Sequence, residues 1–256
     1  MRFAALGSGS RGNAWLVEAA GTRVLIDCGF GPRETTRRLG RLGVEPESIQ
    51  AVAVTHEHAD HIGGAGACAR RFGWQLWMTR GTAAAYSKDG NLRTLPYSPV
   101  DGHTSITIGE LQLQPFTVPH DAREPVQFIV SDGKTRLGIL TDAGHVTPHM
   151  TTVLGGCAAL VIECNHDSEM LRTGRYPLTL QRRISGRWGH LDNQSAAQLL
   201  AAVDRSALRQ VVAAHLSEEN NSVELARTAL ASVLDCAVEE IAVADQEDGL
   251  HWRDLR

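Results

Sequence analysis

The chain has 256 residues, of which 43% are hydrophobic, so it is long enough to bury a sizeable core, and we expect one domain over residues 1–256. Its formal net charge of −4 excludes a global attraction to nucleic acid, so any polyanion site must come from a local basic patch. Glycine and serine follow the amino terminus too soon for a secretion signal, and no apolar run is long enough to span a bilayer. Five cysteines without CxxC spacing fit reduced thiols, so we expect a cytoplasmic protein with no membrane contact.

The first half of the chain reads mainly as strands. Apolar runs at residues 2–6, 14–18 and 23–27 are separated by glycine-rich turns, which is typical of closely joined antiparallel strands. The GSGSRG loop at residues 7–12 fits either a phosphate cradle or an ordinary connection, because a strand rather than a helix follows it. The next predicted elements are a helix at 32–42, a strand from 52, a helix at 62–72, a strand at 74–79, a turn-rich segment to 99 and a hairpin at 105–118.

The second half alternates strands with helices. The predicted strands are 126–131, 136–140, 158–163, 209–214 and 239–244. The predicted helices are 148–154, 167–172, 177–184, 193–203 and 222–234. This order predicts sheets that are covered by helices.

The most informative stretch is HEHADH at residues 56–61, which directly follows an apolar strand. If the extended conformation persists through Thr55, His56 and His58 project from the same face and can bind one metal ion. Asp60 and His61 lie past the turn and diverge from them, so this pair is better placed for a second ion. The pattern therefore predicts a metal site at the end of this strand.

Other apolar strands also end in residues that bind metals, namely His120, Asp142 and His215. Each is weak evidence alone, because an isolated His on an apolar strand is usually a hydrogen-bonded polar residue. Asp27 ends a further strand, where a residue that orients a metal ligand and a turn-forming residue are equally good interpretations.

Together these motifs resemble the metallo-β-lactamase superfamily. Within it the chain is similar to the YycJ (WalJ) family over nearly its whole length, through LGSGSRGN (6–13), DCG (27–29), PHDAREP (119–125), ECNHD (163–167), GHLDN (189–193) and AHLSEEN (214–220). The resemblance implies an α/β fold, a four-layer αββα sandwich, with a dinuclear site at one edge of the sheets. It also implies two ligand sets bridged by Asp142: His56, His58 and His120 on one ion, and Asp60, His61 and His215 on the other.

The resemblance further implies a phosphodiesterase related to ribonuclease Z, with 5′-exonuclease action on DNA. Asp60, Asp142 and His190 are the residues to which we assign catalysis, with His190 as a phosphate contact or general acid. Histidine and carboxylate ligands favour two zinc ions first and manganese second. Such ions would share a water whose pKa falls toward about 7, and the resulting hydroxide would attack phosphorus. A hydrolase of small esters, thioesters or lactones with the same fold is the alternative.

The segment 170–191 has no acidic residue but contains five arginines, interleaved with Tyr176 and Trp188. The arginines are Arg172, Arg175, Arg182, Arg183 and Arg187. Guanidinium groups match phosphate geometry and aromatic rings stack on exposed bases, so the segment predicts a nucleic-acid contact, DNA favoured over RNA by the resemblance. A solvated helix face with core aromatics is the other interpretation. His166 fits a substrate contact, a residue that orients a ligand, or a buried hydrogen-bonded His.

Overall fold

The computed structural model describes residues 1–88 and 95–255, and within these ranges the strands form two seven-stranded sheets. The first sheet contains β1 (Arg2–Gly7), β2 (Ala14–Ala19), β3 (Thr22–Ile26), β4 (Ala51–Ala53), β5 (Gln75–Thr79), β6 (Ser98–Val100) and β14 (Leu250–Asp254). The second contains β7 (Ile106–Ile108), β8 (Leu111–Thr117), β9 (Val126–Ser131), β10 (Arg136–Leu140), β11 (Ala159–Glu163), β12 (Gln210–Ala214) and β13 (Ala242–Val243).

Helices flank the two sheets. They are α1 (Pro32–Arg41), α2 (Ala59–Ile62), α3 (Ala65–Phe72), α4 (Arg80–Lys88), α5 (Pro148–Leu154), α6 (Ser168–Thr173), α7 (Leu178–Ile184), α8 (Asn193–Ala202) and α9 (Val223–Leu234). Helix α7 lies at the edge where the strands end. Two short 3-10 turns lie at Pro46–Ser48 and Val238–Glu240. The described part of the chain has no helix whose length and apolar character would let it cross a membrane.

Successive side chains along a strand point to opposite faces of its sheet, so each strand contributes both to the layer between the sheets and to the layer beneath the helices. In β2, Trp15 and Val17 pack between the two sheets, whereas Leu16 packs outward against Leu39 of α1. The same happens on the second sheet, where Val161 of β11 faces the first sheet and Ile162 packs in the cluster that holds α8 and α9. Because both faces of these strands are buried, the strands are apolar throughout. The predicted αββα sandwich is confirmed.

Strand direction brings the carboxyl ends of seven strands to one edge. β3, β4 and β5 are parallel in the first sheet, and β10, β11 and β12 are parallel in the second. β8 is antiparallel to β9, which is antiparallel to β10, so β8 runs in the same direction as β10. Side chains that follow the carboxyl ends of these strands therefore converge, as in other α/β sheets.

Several element boundaries differ from the prediction. The predicted helix 62–72 is divided into α2 and α3, which are separated by Gly63 and Gly64. No side chain fits at Gly64, because a Cβ there would lie only 1.7 Å from the carbonyl oxygen of Phe30. The turn-rich segment contains α4 and β6 instead, and its residues 89–94 lie outside the described residues. The strand predicted at 239–244 is reduced to a 3-10 turn and β13, and β14 was not predicted.

The five cysteines carry free thiols, as the absence of a CxxC spacing predicts. Four are buried, and Cys28 and Cys68 lie with their sulfurs 3.7 Å apart between the first sheet and its helices. They behave as small apolar residues of the core.

Candidate dinuclear metal site and substrate cavity

Seven side chains with metal-binding chemistry meet at the edge where the strands end. His56, His58, Asp60 and His61 follow β4, His120 follows β8, Asp142 follows β10 and His215 follows β12. The structure thus brings together every residue of the two predicted ligand sets. Their atoms include two groups without a shared member, His56 with His58 and His120, and Asp60 with His61 and His215, and a third group, His56 with His61 and Asp142, connects them. The ligand atoms of each group lie within 4.8 Å of one another.

In the first group, nitrogens of His58 and His120 face each other. His120 Nδ1 lies 2.9 Å from the carbonyl oxygen of Gly189, which only accepts, so Nδ1 carries the proton. Burial lowers the pKa of His120, and the neutral ring then has a lone pair on Nε2, 3.2 Å from His58 Nδ1. His58 and His120 would both be available to hold a metal ion.

His56 completes this group with an orphaned nitrogen. Its Nδ1 lies 2.9 Å from the Thr55 hydroxyl, which in turn lies 2.9 Å from Asp27 Oδ2. Because the hydroxyl gives its single proton to the carboxylate, it accepts from His56 Nδ1. Nε2 is left buried without a hydrogen-bond partner among the described residues. Burial and then the nearby His61 lower the pKa of His56 well below its usual value, so Nε2 has a free lone pair and fits a metal ion.

The paired strand before His56 and His58 is shorter than the predicted one. β4 ends at Ala53, and both histidines belong to the irregular segment before α2, with His58 as the residue preceding that helix. The strand stops because the Asp27 carboxylate accepts the Thr55 backbone N–H at 2.8 Å, where a neighbouring strand would otherwise pair.

The second group is held together by carboxylates. Asp60 Oδ2 lies 3.2 Å from His61 Nε2 and 3.3 Å from His215 Nε2. Burial raises the pKa of Asp60, but the two imidazoles outweigh burial and lower that pKa far below its usual value. Behind the ring, His61 Nδ1 lies 2.7 Å from Asp27 Oδ2, so its Nε2 points toward Asp60. Asp27 therefore orients a candidate ligand, which was one of its two sequence interpretations.

Asp142 lies between the two groups and is 1% exposed. Its Oδ2 is 3.0 Å from His61 Nε2, and its Oδ1 is 3.8 Å from His120 Nε2. One carboxylate therefore reaches a member of each group, which is the arrangement required of a bridging ligand. Burial raises its pKa, but His215 and His61 outweigh burial and lower that pKa well below its usual value.

Replacing Asp27 by Asn is expected to weaken metal binding roughly 10- to 100-fold, the usual effect of removing a carboxylate that orients a histidine ligand. Asn tolerates the left-handed backbone of this position (φ 63°), so the change removes charge without new strain. Metal content after dialysis against a competing chelator measures the effect, with thermal unfolding as a check of the fold. Asp204→Asn makes the same exchange at an exposed turn and serves as the control. Equal metal retention in both variants would contradict the role of Asp27.

Two buried residues of the site carry no assignment from the sequence. Glu163 Oε1 lies 2.7 Å from His190 Nδ1 and 3.2 Å from His215 Nδ1. Its Oε2 accepts the backbone N–H groups of Ala143 at 2.9 Å and Leu191 at 3.1 Å, so one carboxylate joins three loops. Its position at the end of β11, like that of Asp142 after β10, was the available signal.

Asn13 is the second such residue. Its side-chain N–H group lies 3.2 Å from Asp60 Oδ2, and its Oδ1 accepts the Gly9 backbone N–H at 3.0 Å. The backbone N–H groups of residues 8, 11 and 12 also donate to protein acceptors. Because these N–H groups are already bonded, the loop at 7–12 is an ordinary connection that positions Asn13 rather than a phosphate cradle.

A cavity of about 380 Å³ opens beside the two groups. Asp60, Asp142, His190 and His215 line its base, and one face of α7 forms its wall through Leu180, Arg183 and Ile184. Arg183 Nε donates to Asp121 Oδ2 at 2.6 Å, and Asp121 Oδ1 lies 3.6 Å from His58 Nε2. A guanidinium is thus fixed next to the candidate metal ligands, where an anionic substrate would lie.

His190 faces this cavity with its Nδ1 between two carboxylates. Nδ1 is 2.7 Å from Glu163 and 3.2 Å from Asp142 Oδ1. Burial lowers the pKa of His190, but Glu163 and Asp142 outweigh burial and raise that pKa to about 10. The bound Nδ1 leaves Nε2 as the ring nitrogen available to a substrate.

The other predicted substrate contacts lie outside this cavity. Arg172, Arg182 and His166 line a neighbouring groove on the opposite face of α7. Arg172 is paired with Glu169, which precedes the segment without acidic residues, so the patch is less positive than its sequence indicates. Arg175 and Arg187 are exposed, whereas His166 is 2% exposed and lies 3.3 Å from Asn165 Oδ1. His166 thus has the burial and partner expected of a structural histidine.

Comparison with known proteins gives matches over almost the whole chain. A family model described as a β-lactamase superfamily domain matches residues 22–216. The exodeoxyribonuclease YycJ of Bacillus anthracis is 35% identical over 92% of this chain and 89% of its own length. The exodeoxyribonuclease WalJ of Streptococcus pneumoniae is 31% identical over 98% of this chain and 92% of its own. The metallo-β-lactamase fold protein YhfI of Bacillus subtilis shares the fold, with a TM-score of 0.75 at 14% identity over 99% of both chains.

Proposed function

This chain belongs to the metallo-β-lactamase superfamily and is a relative of the YycJ and WalJ proteins, and we propose that it is a dinuclear metal-dependent phosphodiesterase acting as a 5′-exonuclease on DNA. The names of these relatives support the DNA substrate. The observation that carries the proposal is the contact of Asp142 with both ligand groups at the base of a cavity that also contains Arg183 and His190.

We assign His56, His58 and His120 to one ion and Asp60, His61 and His215 to the other, with Asp142 between them. The orphaned His56 Nε2 and the facing nitrogens of His58 and His120 support this assignment. Zinc is the first choice for these ligands and manganese the second. When bound, two such ions would supply Lewis acidity and a water that is deprotonated near neutral pH.

The residues around the ions then have separate tasks. Arg183 binds a nonbridging oxygen of the phosphodiester, and its pairing with Asp121 holds the guanidinium in the cavity. His190, oriented by Glu163, donates a proton from Nε2 to the leaving oxygen. Glu163 keeps that imidazole protonated, because the carboxylate stabilises the cationic form.

The remaining arginines bind the part of the DNA strand that lies outside the cavity. Arg172 and Arg182 line the groove behind α7, and Arg175 and Arg187 are exposed on the same insert. Phosphates attached to the nucleotide in the cavity are the groups that such arginines recognise. These contacts would give affinity without base preference.

Replacing Arg183 by Ala is expected to raise KM for a DNA oligonucleotide roughly tenfold, with a smaller effect on kcat, because a charge-assisted contact to phosphate is lost. Arg182→Ala is the matched comparison, because Arg182 is also an arginine of α7 but lies on the opposite face of that helix. Arg182→Ala should raise KM only for substrates that are long enough to reach the neighbouring groove. Initial rates on a dinucleotide and on a 20-nucleotide strand distinguish the effect of Arg183→Ala from that of Arg182→Ala. Equal effects of both variants on the dinucleotide would contradict the assignment of Arg183.

The proposed function is tested by incubating metal-reconstituted protein with 5′-end-labelled DNA and RNA oligonucleotides, with zinc and manganese supplied separately. We expect metal-dependent release of short labelled products from DNA. The label pattern reports the polarity, and the RNA arm reports the sugar preference. Absence of cleavage of any strand by protein with confirmed bound metal would refute the nuclease.

Hydrolysis of a small ester, thioester or lactone is the second candidate. The observation that favours it is the apolar part of the cavity wall, formed by Leu180 and Ile184, which would suit an acyl chain. The same ions would then act on a carbonyl group. A panel of lactone and thioester substrates tests this candidate, which requires turnover of the panel without turnover of phosphodiesters.

A further inference from the structure

A second cavity, of about 270 Å³, lies at the opposite end of β12 from the candidate metal site. Its lining includes Gln210, the first residue of β12, whereas the candidate ligand His215 directly follows the last residue of that strand. Five residues of extended strand span about 17 Å, and no residue lines both cavities. The second cavity is therefore separate from the site of the proposed catalysis, and its size suits a small molecule.

The floor of this cavity is apolar. Val211 of β12 and Ile241, which follows the second 3-10 turn, are buried in the core between the second sheet and its helices. Leu208 and Leu234 pack against that core but are only partly buried. Because burial of apolar surface favours binding, this floor would hold the hydrocarbon or aromatic body of a ligand.

Three arginines supply the positive charge of the lining, namely Arg205, Arg209 and Arg253. Arg205 Nη1 donates to the Val233 carbonyl oxygen at 2.8 Å, and Arg253 Nε donates to Gln210 Oε1 at 3.0 Å. In the described part of the chain none of the three forms an ion pair with a carboxylate. Two of these guanidinium groups are thus held in place by neutral acceptors, which leaves their charge for a ligand.

The charge of the lining selects the head group of that ligand. Glu240 supplies the one carboxylate of the described lining, and its Oε1 accepts the Ala237 N–H at 3.0 Å. Three guanidinium groups against this carboxylate leave a net charge of +2. A phosphate monoester carries about −1.5 to −2 at pH 7, whereas a carboxylate or a DNA phosphodiester carries a single negative charge. The cavity therefore matches a phosphate monoester best.

We propose that this cavity binds a small organic phosphate monoester, with the phosphate on the three arginines and the apolar body over Leu208 and Leu234. This class includes a nucleoside 5′-monophosphate and a phosphorylated metabolite with an aromatic group. The site lies apart from the residues that carry the proposed function. Its occupation requires no cleavage of DNA, so it can be tested whether or not the protein is a nuclease.

Cys236 gives a local readout of occupation, because it lines this cavity and is partly exposed while the four other cysteines are buried. Phenyl phosphate should slow the alkylation of Cys236 by iodoacetamide several-fold and saturably in metal-reconstituted protein, as measured by mass spectrometry. Benzoate keeps the ring but has one charge, and inorganic phosphate lacks the apolar body. Each should need a roughly tenfold higher concentration for half-protection.

Thymidine 5′-monophosphate distinguishes the two sources of the ligand. Half-protection of Cys236 by this nucleotide at a lower concentration than by phenyl phosphate supports the site as one for nucleotides. Half-protection at a higher concentration supports it as one for phosphorylated aromatic metabolites. Absence of protection by both compounds would overturn the proposal, and so would equal half-protection by phenyl phosphate and inorganic phosphate, which indicates an anion site only.

Arg209→Gln tests the role of the arginines, because the Arg209 side chain makes no hydrogen bond within the described residues and its loss leaves the fold intact. We expect the variant to need a roughly tenfold higher concentration of phenyl phosphate for half-protection, the effect of one lost charge-assisted contact. Arg33→Gln makes the same exchange at an exposed arginine of α1 and should behave as the wild type. Half-protection at the same concentration in both variants would overturn the proposal.

Discussion

Asp142→Ala protein is expected to hydrolyse DNA at least about a thousandfold more slowly than the wild type, because loss of the ligand shared by two ions removes several kcal/mol of transition-state stabilisation. The carboxylate is buried and lies 3.0 Å from His61 Nε2 and 3.8 Å from His120 Nε2, so its loss removes an oxygen ligand that both groups share. Single-turnover rates with a labelled oligonucleotide measure the loss. The bound metal per chain, determined on the same sample, should also fall.

Asp142→Asn is the companion variant, since it retains volume and one oxygen while removing the charge. Asn at this position avoids the cavity that Ala would leave among buried histidines. Both variants should unfold cooperatively in the presence of chelator, which shows that the sheets remain intact. Wild-type rates in either variant would refute the dinuclear assignment.

His190→Ala protein is expected to lose roughly 10²- to 10⁴-fold in kcat while it retains both metals, because we assign His190 the role of general acid and not that of a ligand. A general acid acts in its protonated form, so activity is present below its pKa and declines as pH rises through that value. Glu163 and Asp142 raise the pKa of His190 to about 10, which places the decline at alkaline pH in the wild type. The pH profile of kcat measures this, and His190→Ala should lack the alkaline decline.

Glu163→Gln separates positioning from catalysis. Gln removes the charge that stabilises the imidazolium, so the alkaline decline should move to lower pH while the substrate KM changes little. A purely structural role for Glu163 would lower the rate equally at every pH. If the decline in kcat occurs at the same alkaline pH in Glu163→Gln as in the wild type, the contact between Glu163 and His190 is not the cause of the raised pKa.

The sequence alone determined the features of this protein that depend only on residues close together along the chain. HEHADH after an apolar strand indicates a metal site, because residue spacing and the change from apolar to polar are local properties. Strand and helix periods likewise located most elements, including the hairpin of β7 and β8. The seven candidate ligands required both the local pattern at strand ends and the family resemblance, since His120, Asp142 and His215 are individually uninformative.

Only the tertiary structure decided which distant residues meet. Glu163 contacts His190 and His215, which lie 27 and 52 positions further along the chain, and no periodicity encodes such a contact. Asp27 fits a turn or a ligand partner by sequence, and its distance to His61 distinguishes the two. Arg182 and Arg183 are adjacent in sequence, yet helix geometry directs one to the groove and the other to the cavity. Side-chain patterns specify a face, but the packing of two sheets and their helices specifies what that face contacts.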